Sequence, residues 1–331
     1  MQGGAEMTDF FLGADLGATK THVVVADAAG RVLGFGRSGP GNHEAVGYAG
    51  FQANLQAAVR QALESAGLKP ADVSGAGFGI AGYDWPIERQ PMLEVIRTLQ
   101  LGGAVELVND AELGLLAGSE HGWGVAVVSG TGCNCRGWDA GRQRFGRVTG
   151  GGMQFGEFAG ASELMFMVSR ALAYAWTGRG PATALADAFV TKYGVRDLEQ
   201  LLQDCICGLI ELDAADAPLV FQVAARGDAV ALEIIRWAGR ELGEMAVTVI
   251  RQLGFESIEF DLVQIGSLFD GSPLLTEEMK RVVHAFAPGA HFVRTQAPPV
   301  MGAVLLGMQA AGVHPDAKIR QALADSISGV R

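Results

Sequence analysis

One arrangement occurs twice in this chain and limits what it can fold into: strand, glycine- and threonine-rich turn, strand, turn, strand. In the first copy, Phe10–Asp15 leads into the turn Leu16-Gly17-Ala18-Thr19. Thr21–Asp27, the turn Ala28-Ala29-Gly30 and Arg31–Gly36 follow. In the second, about 115 residues later, Val125–Val128 leads into Ser129-Gly130-Thr131-Gly132, then Cys133–Trp138, Asp139-Ala140-Gly141 and Arg144–Val148. β-Branched runs broken by turn residues at this spacing predict antiparallel meanders. The two copies share pattern rather than identity. With 331 residues the chain is long enough for about two domains, each with its own core.

The segments between the meanders carry other periods. A loop, Ser38-Gly39-Pro40-Gly41-Asn42-His43, precedes helical periodicity over 45–66, which ends with Gly67 at the C′ position. Val73–Gly79 reads as a strand, 87–100 as a helix and Ala104–Val108 as another strand, giving the order β-β-β-α-β-α-β. Residues 159–255 are mostly helical in pattern, and Leu262–Ile265 is a late strand that meets Gly266-Ser267. Pro298-Pro299 opens a helix, Val300–Ala311, because proline is tolerated in the first turn. The helices after Glu112 and after Pro299 have small faces (Gly114, Ala117, Gly118; Gly302, Ala303, Gly307). Such faces suit either a hinge between lobes or ordinary close packing.

Composition excludes several functions. Hydrophobic residues make up 49%, charged residues 18%, and mean hydropathy is +0.23, as expected of a compact globular chain. No apolar run reaches the roughly 18 residues a membrane helix needs. Met1–Glu6 lacks the basic start of a signal peptide; Met7 is a second possible start, with a disordered tail expected before it. A net charge of −11 and a pI near 5.0 argue against nucleic acid or an anionic membrane as partner, and the cytoplasm is the default location. The four cysteines form two C-x-C pairs, Cys133/Cys135 and Cys205/Cys207. Zinc sites favour C-x-x-C with nearby histidine, so reduced, partly buried thiols are expected.

Chemistry concentrates where strands end. Ala104–Val108 runs into Asn109-Asp110-Ala111, with a small-residue helix directly behind it. A carboxylate at the end of a buried strand is held rigidly and can take a proton from a hydroxyl; Asp110 either does this or caps the helix. Asp15-Leu16-Gly17-Ala18-Thr19-Lys20-Thr21 contains neither a P-loop nor G-x-G-x-x-G, but a tight hairpin can still offer backbone N–H groups to phosphate. Gly17 lets the backbone come close, and a Mg²⁺ between Asp15 and phosphate, usually through water, would remove their repulsion. Ser129-Gly130-Thr131-Gly132 is a second such turn, in which backbone amides and the Thr131 hydroxyl are candidates for the β- and γ-phosphates. Gly150-Gly151-Gly152 is either a flexible loop or a flat surface on which a sugar ring can lie.

With these residues in view, the chain resembles the N-acetylglucosamine kinases and the wider BadF/BadG-type ATPases of the actin–hexokinase superfamily, over roughly residues 9–312. Val128–Arg136 is similar to that family's second phosphate motif, with Cys133 where serine is usual. Asp15–Thr21 is similar to the first phosphate motif, with Leu16 and Ala18 in places often held by glycine. Asn109-Asp110-Ala111 resembles the catalytic-base segment, Ser38–His43 the sugar-contact loop and Gly266-Ser267 the adenosine motif. Ala224, before Gly227-Asp228, matches a further nucleotide contact. Where such kinases show Gly-Asp-Glu-Gly-Ser, this chain has Gly156-Glu157-Phe158-Ala159-Gly160.

Pattern and resemblance together imply an α/β protein of two ribonuclease-H-like (actin-like ATPase) lobes. Each would carry a mixed five-stranded sheet and flanking helices, with ATP in the cleft between the lobes. The first lobe is expected over 9–118, with a C-terminal helix near 313–331 packing back on it, and the second over 119–312. The resemblance implies transfer of the ATP γ-phosphoryl to a hydroxyl of an aminosugar, first of all N-acetylglucosamine at its 6-position, with Asp110 as base. Glucosamine or another hexose is the alternative substrate. ATP contacts would come from Asp15, Gly17, Thr19, Lys20, Ser129, Gly130, Thr131, Gly132, Ala224, Gly266 and Ser267, with Mg²⁺ near Asp15. Sugar contacts would come from Asn42, His43, Asp110, Gly150, Gly151, Gly152 and Glu157. A homodimer is the expected assembly. Two rival readings are an ATP-driven activator that passes electrons from an iron–sulfur cluster and a non-catalytic sugar-binding regulator.

Overall fold

The computed structural model describes residues 9–329; Met7, the tail before it and the last two residues lie outside them. The described residues form two compact units, 9–124 with 293–329, and Val125–Phe292.

The first unit begins with the predicted meander: β1 (Phe10–Leu16), β2 (Thr21–Asp27) and β3 (Val32–Ser38). Helix α1 (His43–Ala66) follows, stopped by Gly67 in the left-handed conformation, where its N–H bonds back to Glu64 and Leu63. Then come β4 (Val73–Ile80), α2 (Arg89–Arg97), β5 (Ala104–Asn109) and α3 (Asp110–Gly118). The sheet order is β3-β2-β1-β4-β5, antiparallel across β1–β2 and β2–β3 and parallel across β1–β4 and β4–β5.

The second unit carries β6 (Gly124–Ser129), β7 (Cys133–Trp138) and β8 (Phe145–Arg147). Helices α4 (Ala161–Thr177), α5 (Ala184–Tyr193), α6 (Leu198–Ile206), α7 (Ala217–Ala225) and α8 (Ala229–Leu253) come next. Strand β9 (Phe260–Ile265), α9 (Pro273–Phe286) and β10 (Ala290–Arg294) complete a five-stranded sheet of order β10-β9-β6-β7-β8. Strand β10 has no counterpart in the sequence reading. It is five residues long with only Ala290 buried, too short for an alternation to show.

The chain then returns to the first unit through α10 (Pro299–Ala310) and α11 (Ala317–Ser328). This corrects the expected boundary, which left 299–310 with the second lobe. The reason is in β4, Val73-Ser74-Gly75-Ala76-Gly77-Phe78-Gly79-Ile80, where every second residue is glycine. Alternate strand residues share a face. The odd-numbered glycines strip that face bare, and a Cβ on Gly75 or Gly77 would lie 2.2 Å from the carbonyl oxygen of Gly307 or Ala303 in α10. The even-numbered Ala76, Phe78 and Ile80 point the other way, into a core with Phe51, Leu55 and Ala62 of α1. The small face of α10 is thus spent on the sheet and on α3, whose Leu113 carbonyl approaches Gly302.

Gly77→Ala should destabilise the protein by about 1–3 kcal/mol, the usual cost of overpacking a tight core. Its Cβ would meet backbone, which cannot rotate aside. A melting temperature equal to the parent's would show that α10 does not rest on bare strand.

Candidate active site

In the first unit, register decides which side chains meet. Leu16 lies opposite Ile80, and Ile80 opposite Asn109, so three parallel strands end on one row. Asp15 stands one residue inside that row and Asp110 one residue beyond it. The β1–β2 turn is closed by the Gly17 N–H bonding to the Lys20 carbonyl at 3.0 Å, and tied down by Gly41 N–H to Gly17 and Ala81 N–H to Leu16. Ala18, Thr19 and Lys20 are exposed at its tip.

Asn109, not Asp110, caps α3. Its Oδ1 accepts from Ala111 N–H at 3.0 Å, and Glu112 reaches back to Asn109 N–H at 2.8 Å, forming a capping box. Its Nδ2 donates to Tyr83 O and, at 3.4 Å, to Asp84. Asp110 is the first helical residue, half-buried, with one oxygen accepting from Ala111 N–H at 3.0 Å. Asn42 and His43 do not meet solvent as free loop residues. Asn42 caps α1 through Glu44 N–H at 2.8 Å, and His43 Nε2 sits 3.5 Å from Glu88 with its ring against Tyr48. His43 Nδ1 is buried with no hydrogen-bond partner among the described residues. Tyr83, Asp84 and Glu88, which sequence reasoning passed over, form the 83–88 turn beside Asn109. Glu88 accepts from Asp84 and Trp85 N–H at 2.9 and 2.7 Å.

The Asp15 carboxyl is pushed up to about 7, first by burial and next by the Asp110 carboxylate, with Lys20 opposing. Two carboxylates that cannot comfortably both ionise fit a cation. No cluster of three or more His, Cys, Asp or Glu side chains occurs among the described residues. The two carboxylates fit a Mg²⁺ bound through water.

In the second unit, the turn between β6 and β7 is braced on every side. Gly130 N–H bonds Gly132 O at 2.9 Å, while Ala161 and Ser162, at the start of α4, donate to the carbonyls of Gly130 and Thr131 at 2.8 and 3.0 Å. Two otherwise orphaned helix donors thereby hold the turn. The buried Ser129 hydroxyl donates to Ala159 O, so it supports the turn instead of reaching a ligand. Gly266, at φ 104°, lies so close that a Cβ would sit 2.2 Å from Ser129 O. Thr131 and Gly132 are exposed. Gly130 and Thr131 share a cavity of about 630 Å³ with Ser267, and Pro218, Phe221 and Gln222 of α7 form another wall. Ala224 does not line it, being buried inside α7. The α7 wall left no motif in the sequence, only an apolar helix.

Glu157 is buried at 5% exposure, not a solvated loop residue. One carboxylate oxygen accepts from Thr149 N–H, from the Thr149 hydroxyl at 2.7 Å and from Gly150 N–H at 3.2 Å. The other accepts from Gly152 N–H at 3.1 Å. The glycine loop is therefore pinned. All four cysteines are free thiols; Cys135 is buried and Cys133 half-buried. Burial, and for Cys133 the Glu163 and Glu157 carboxylates, push both thiols well up, away from thiolate chemistry.

Residues 12–307 match the BadF/BadG/BcrA/BcrD ATPase family, to which the chain belongs. It is 25% identical to N-acetylmuramic acid/N-acetylglucosamine kinase of Clostridium acetobutylicum, covering 90% of this chain and 97% of that one. It is 26% identical to N-acetyl-D-glucosamine kinase of Dictyostelium discoideum, covering 91% and 98%. A crystal structure from Chromobacterium violaceum, proposed to be an N-acetylglucosamine kinase, superposes with a TM-score of 0.67 at 22% identity, covering 91% of this chain and 99% of that chain. The two five-stranded units have the actin-like ATPase architecture of these sugar-kinase neighbours.

The raised Asp15 carboxyl has a signed consequence. The folded protein holds a proton there that the unfolded chain releases near 3.8, so stability is lost as pH rises from about 4 to about 7. Without nucleotide or Mg²⁺, Asp15→Asn should gain on the parent across that window by up to about 1.4 kcal/mol per pH unit, then level off. A difference that stays flat from pH 4 to 7 in denaturant titrations would return Asp15 to ordinary carboxylate behaviour.

Proposed function

We propose that the protein is an ATP-dependent aminosugar kinase that transfers the γ-phosphoryl group to N-acetylglucosamine, at its 6-hydroxyl. The observation that carries this reading is the division of work at the end of β5: Asn109 caps the helix, and Asp110 presents its carboxylate at the same edge as Asp15. Likeness to two curated aminosugar kinases over nine-tenths of the chain supports the substrate class. Glucosamine and other hexoses are the competing acceptors. Homodimeric assembly and a cytoplasmic location rest on the family resemblance. The net charge of −11 speaks against nucleic acid or an anionic membrane as partner, and no described helix is long and apolar enough to cross a membrane.

In this mechanism the sugar oxygen attacks the γ-phosphorus, its proton passes to Asp110, and the bond to the β–γ bridging oxygen breaks to release ADP. Asp15 would hold Mg²⁺ through water, and the bound ion would supply neutralisation of phosphate charge. The exposed tips of the two turns, Ala18–Lys20 and Thr131–Gly132, would offer backbone N–H groups to phosphate, and Thr131 its hydroxyl as well. Ser267 and the α7 wall would receive the rest of the nucleotide, and His43 and the pinned glycine loop are the candidates for sugar contact. The iron–sulfur rival needs accessible thiolates, and burial of Cys135 weighs against it.

ADP release measured with N-acetylglucosamine, glucosamine, N-acetylmannosamine and glucose should be fastest with the first; no release with any of them would sink the kinase reading. Asp110→Asn should lower kcat by about 10²–10⁴-fold and leave the melting temperature near the parent's, because the cap is untouched. Asn109→Ala should instead cost about 0.5–2 kcal/mol of stability. Turnover by Asp110→Asn at the parental rate removes the base.

Thr131→Val keeps the shape of an exposed side chain and deletes the hydroxyl. We expect a loss of about 1–3 kcal/mol in kcat/KM for ATP, with sugar binding little changed. Unaltered ATP kinetics would exclude Thr131 from the phosphate site.

A further inference from the structure

Glu157 stands where the resemblance leads one to expect an aspartate that binds sugar hydroxyls, yet both its oxygens are spent on its own loop. A buried carboxylate is stable only when its lone pairs are met, and here three backbone N–H groups and one hydroxyl meet them. The loop is closed a second time by Glu157 N–H donating to Gly152 O at 3.1 Å. Gly150 and Gly152 both sit at positive φ, 78° and 63°, which little besides glycine adopts and which glycine alone does not fix. Something must select that conformation, and the bonds from Thr149, Gly150 and Gly152 converge on one side chain. The next residue anchors the other flank: the Phe158 ring packs on Trp237 of α8 at 5.4 Å.

We propose that Glu157 is a positioning residue that does not touch the sugar: it presets the Thr149–Gly152 backbone, and that backbone selects the sugar. This rests on the kinase reading given above. The added methylene relative to aspartate is what lets one carboxylate span Thr149 N–H and Gly152 N–H together. Sugar selectivity at this loop then comes from a fixed backbone surface, with no hydrogen bond from Glu157 to one particular hydroxyl.

Hydrogen exchange on the protein without substrates reads the brace directly. The Gly150 and Gly152 amides should exchange slowly in the parent and at least about tenfold faster in Glu157→Gln and Glu157→Ala, the effect of losing a charge-assisted bond. In kinetics, Glu157→Asp and Glu157→Gln should raise KM for every accepted sugar by a similar factor, about tenfold, with KM for ATP within about twofold. Removing sugar hydroxyls one at a time separates the two roles. A direct contact would leave the variants indifferent to one deoxy position, whereas a brace makes each deoxy penalty the same in parent and variant. Thr149→Val, at an exposed position, deletes the hydroxyl that donates to Glu157 and accepts from Gly151 N–H, leaves the three backbone bonds to Glu157, and should shift exchange in the same direction by less, which covers the case of a Glu157 variant that fails to fold. Unchanged exchange in the variants, or indifference to one hydroxyl, overturns the proposal. If the parent phosphorylates no sugar while the exchange contrast holds, the kinase reading fails and the brace stands.

Discussion

The parallel register of β1, β4 and β5 is the constraint on which the first unit's chemistry depends. Because Leu16, Ile80 and Asn109 share one row, everything just past it must gather at a single sheet edge. The chain turns there three times, at Gly17–Lys20, at 81–88 and at Asn109–Asp110. A slip of one residue would send Asp15 to the opposite face. That register is itself held by close approach: the glycines of β4 let the backbone of α10 seat directly on the sheet, which a larger residue would forbid. Packing on one face thus fixes electrostatics at the edge.

The second unit also brings two strand ends together. β9 lies beside β6, and Gly266, just past β9, sits against Ser129 at the end of β6. The turn after β6 is fixed by the first N–H groups of α4, by the Ser129 hydroxyl and by the bare backbone of Gly266. The first two braces consume the carbonyls of Gly130 and Thr131 and the Ser129 hydroxyl. Thr131 and Gly132 are left exposed, and Thr131 lines the cavity with Ser267. A turn made rigid in this way offers donors without paying to order them on binding, which is the condition for preorganised phosphate recognition.

The strands of both meanders were legible because β-branched runs and turn residues alternate cleanly, and Thr21–Asp27 and Cys133–Trp138 match their observed bounds. Boundaries set by tertiary contact were not legible. Nothing within Pro299–Ala310 says which sheet it covers, since the answer lies in glycines of β4 more than two hundred residues earlier. At the site, residue types showed where polar chemistry sits but not how each group is spent. Asn42, Asn109, Ser129 and Glu157 all read as ligand contacts or their neighbours, and all are engaged in caps or braces. Asp84 and Glu88 were missed because acids in a turn around a proline, here Pro86, read as surface.

That distinction between spent and unspent polar groups separates scaffold from chemistry in this molecule. Glu112, Glu157 and Glu163 are buried acids, each bonded to backbone N–H of a turn or helix start, although burial still pushes the Glu163 carboxyl up. Asp15 is different: burial and a neighbouring carboxylate push it up to about 7, and only the exposed Lys20 opposes them. A fold selected for stability alone would favour neutral residues at that place, because every proton released there costs free energy. A positive charge or a shared proton would relieve the repulsion between Asp15 and Asp110, and the proposed phosphoryl transfer would bring either one.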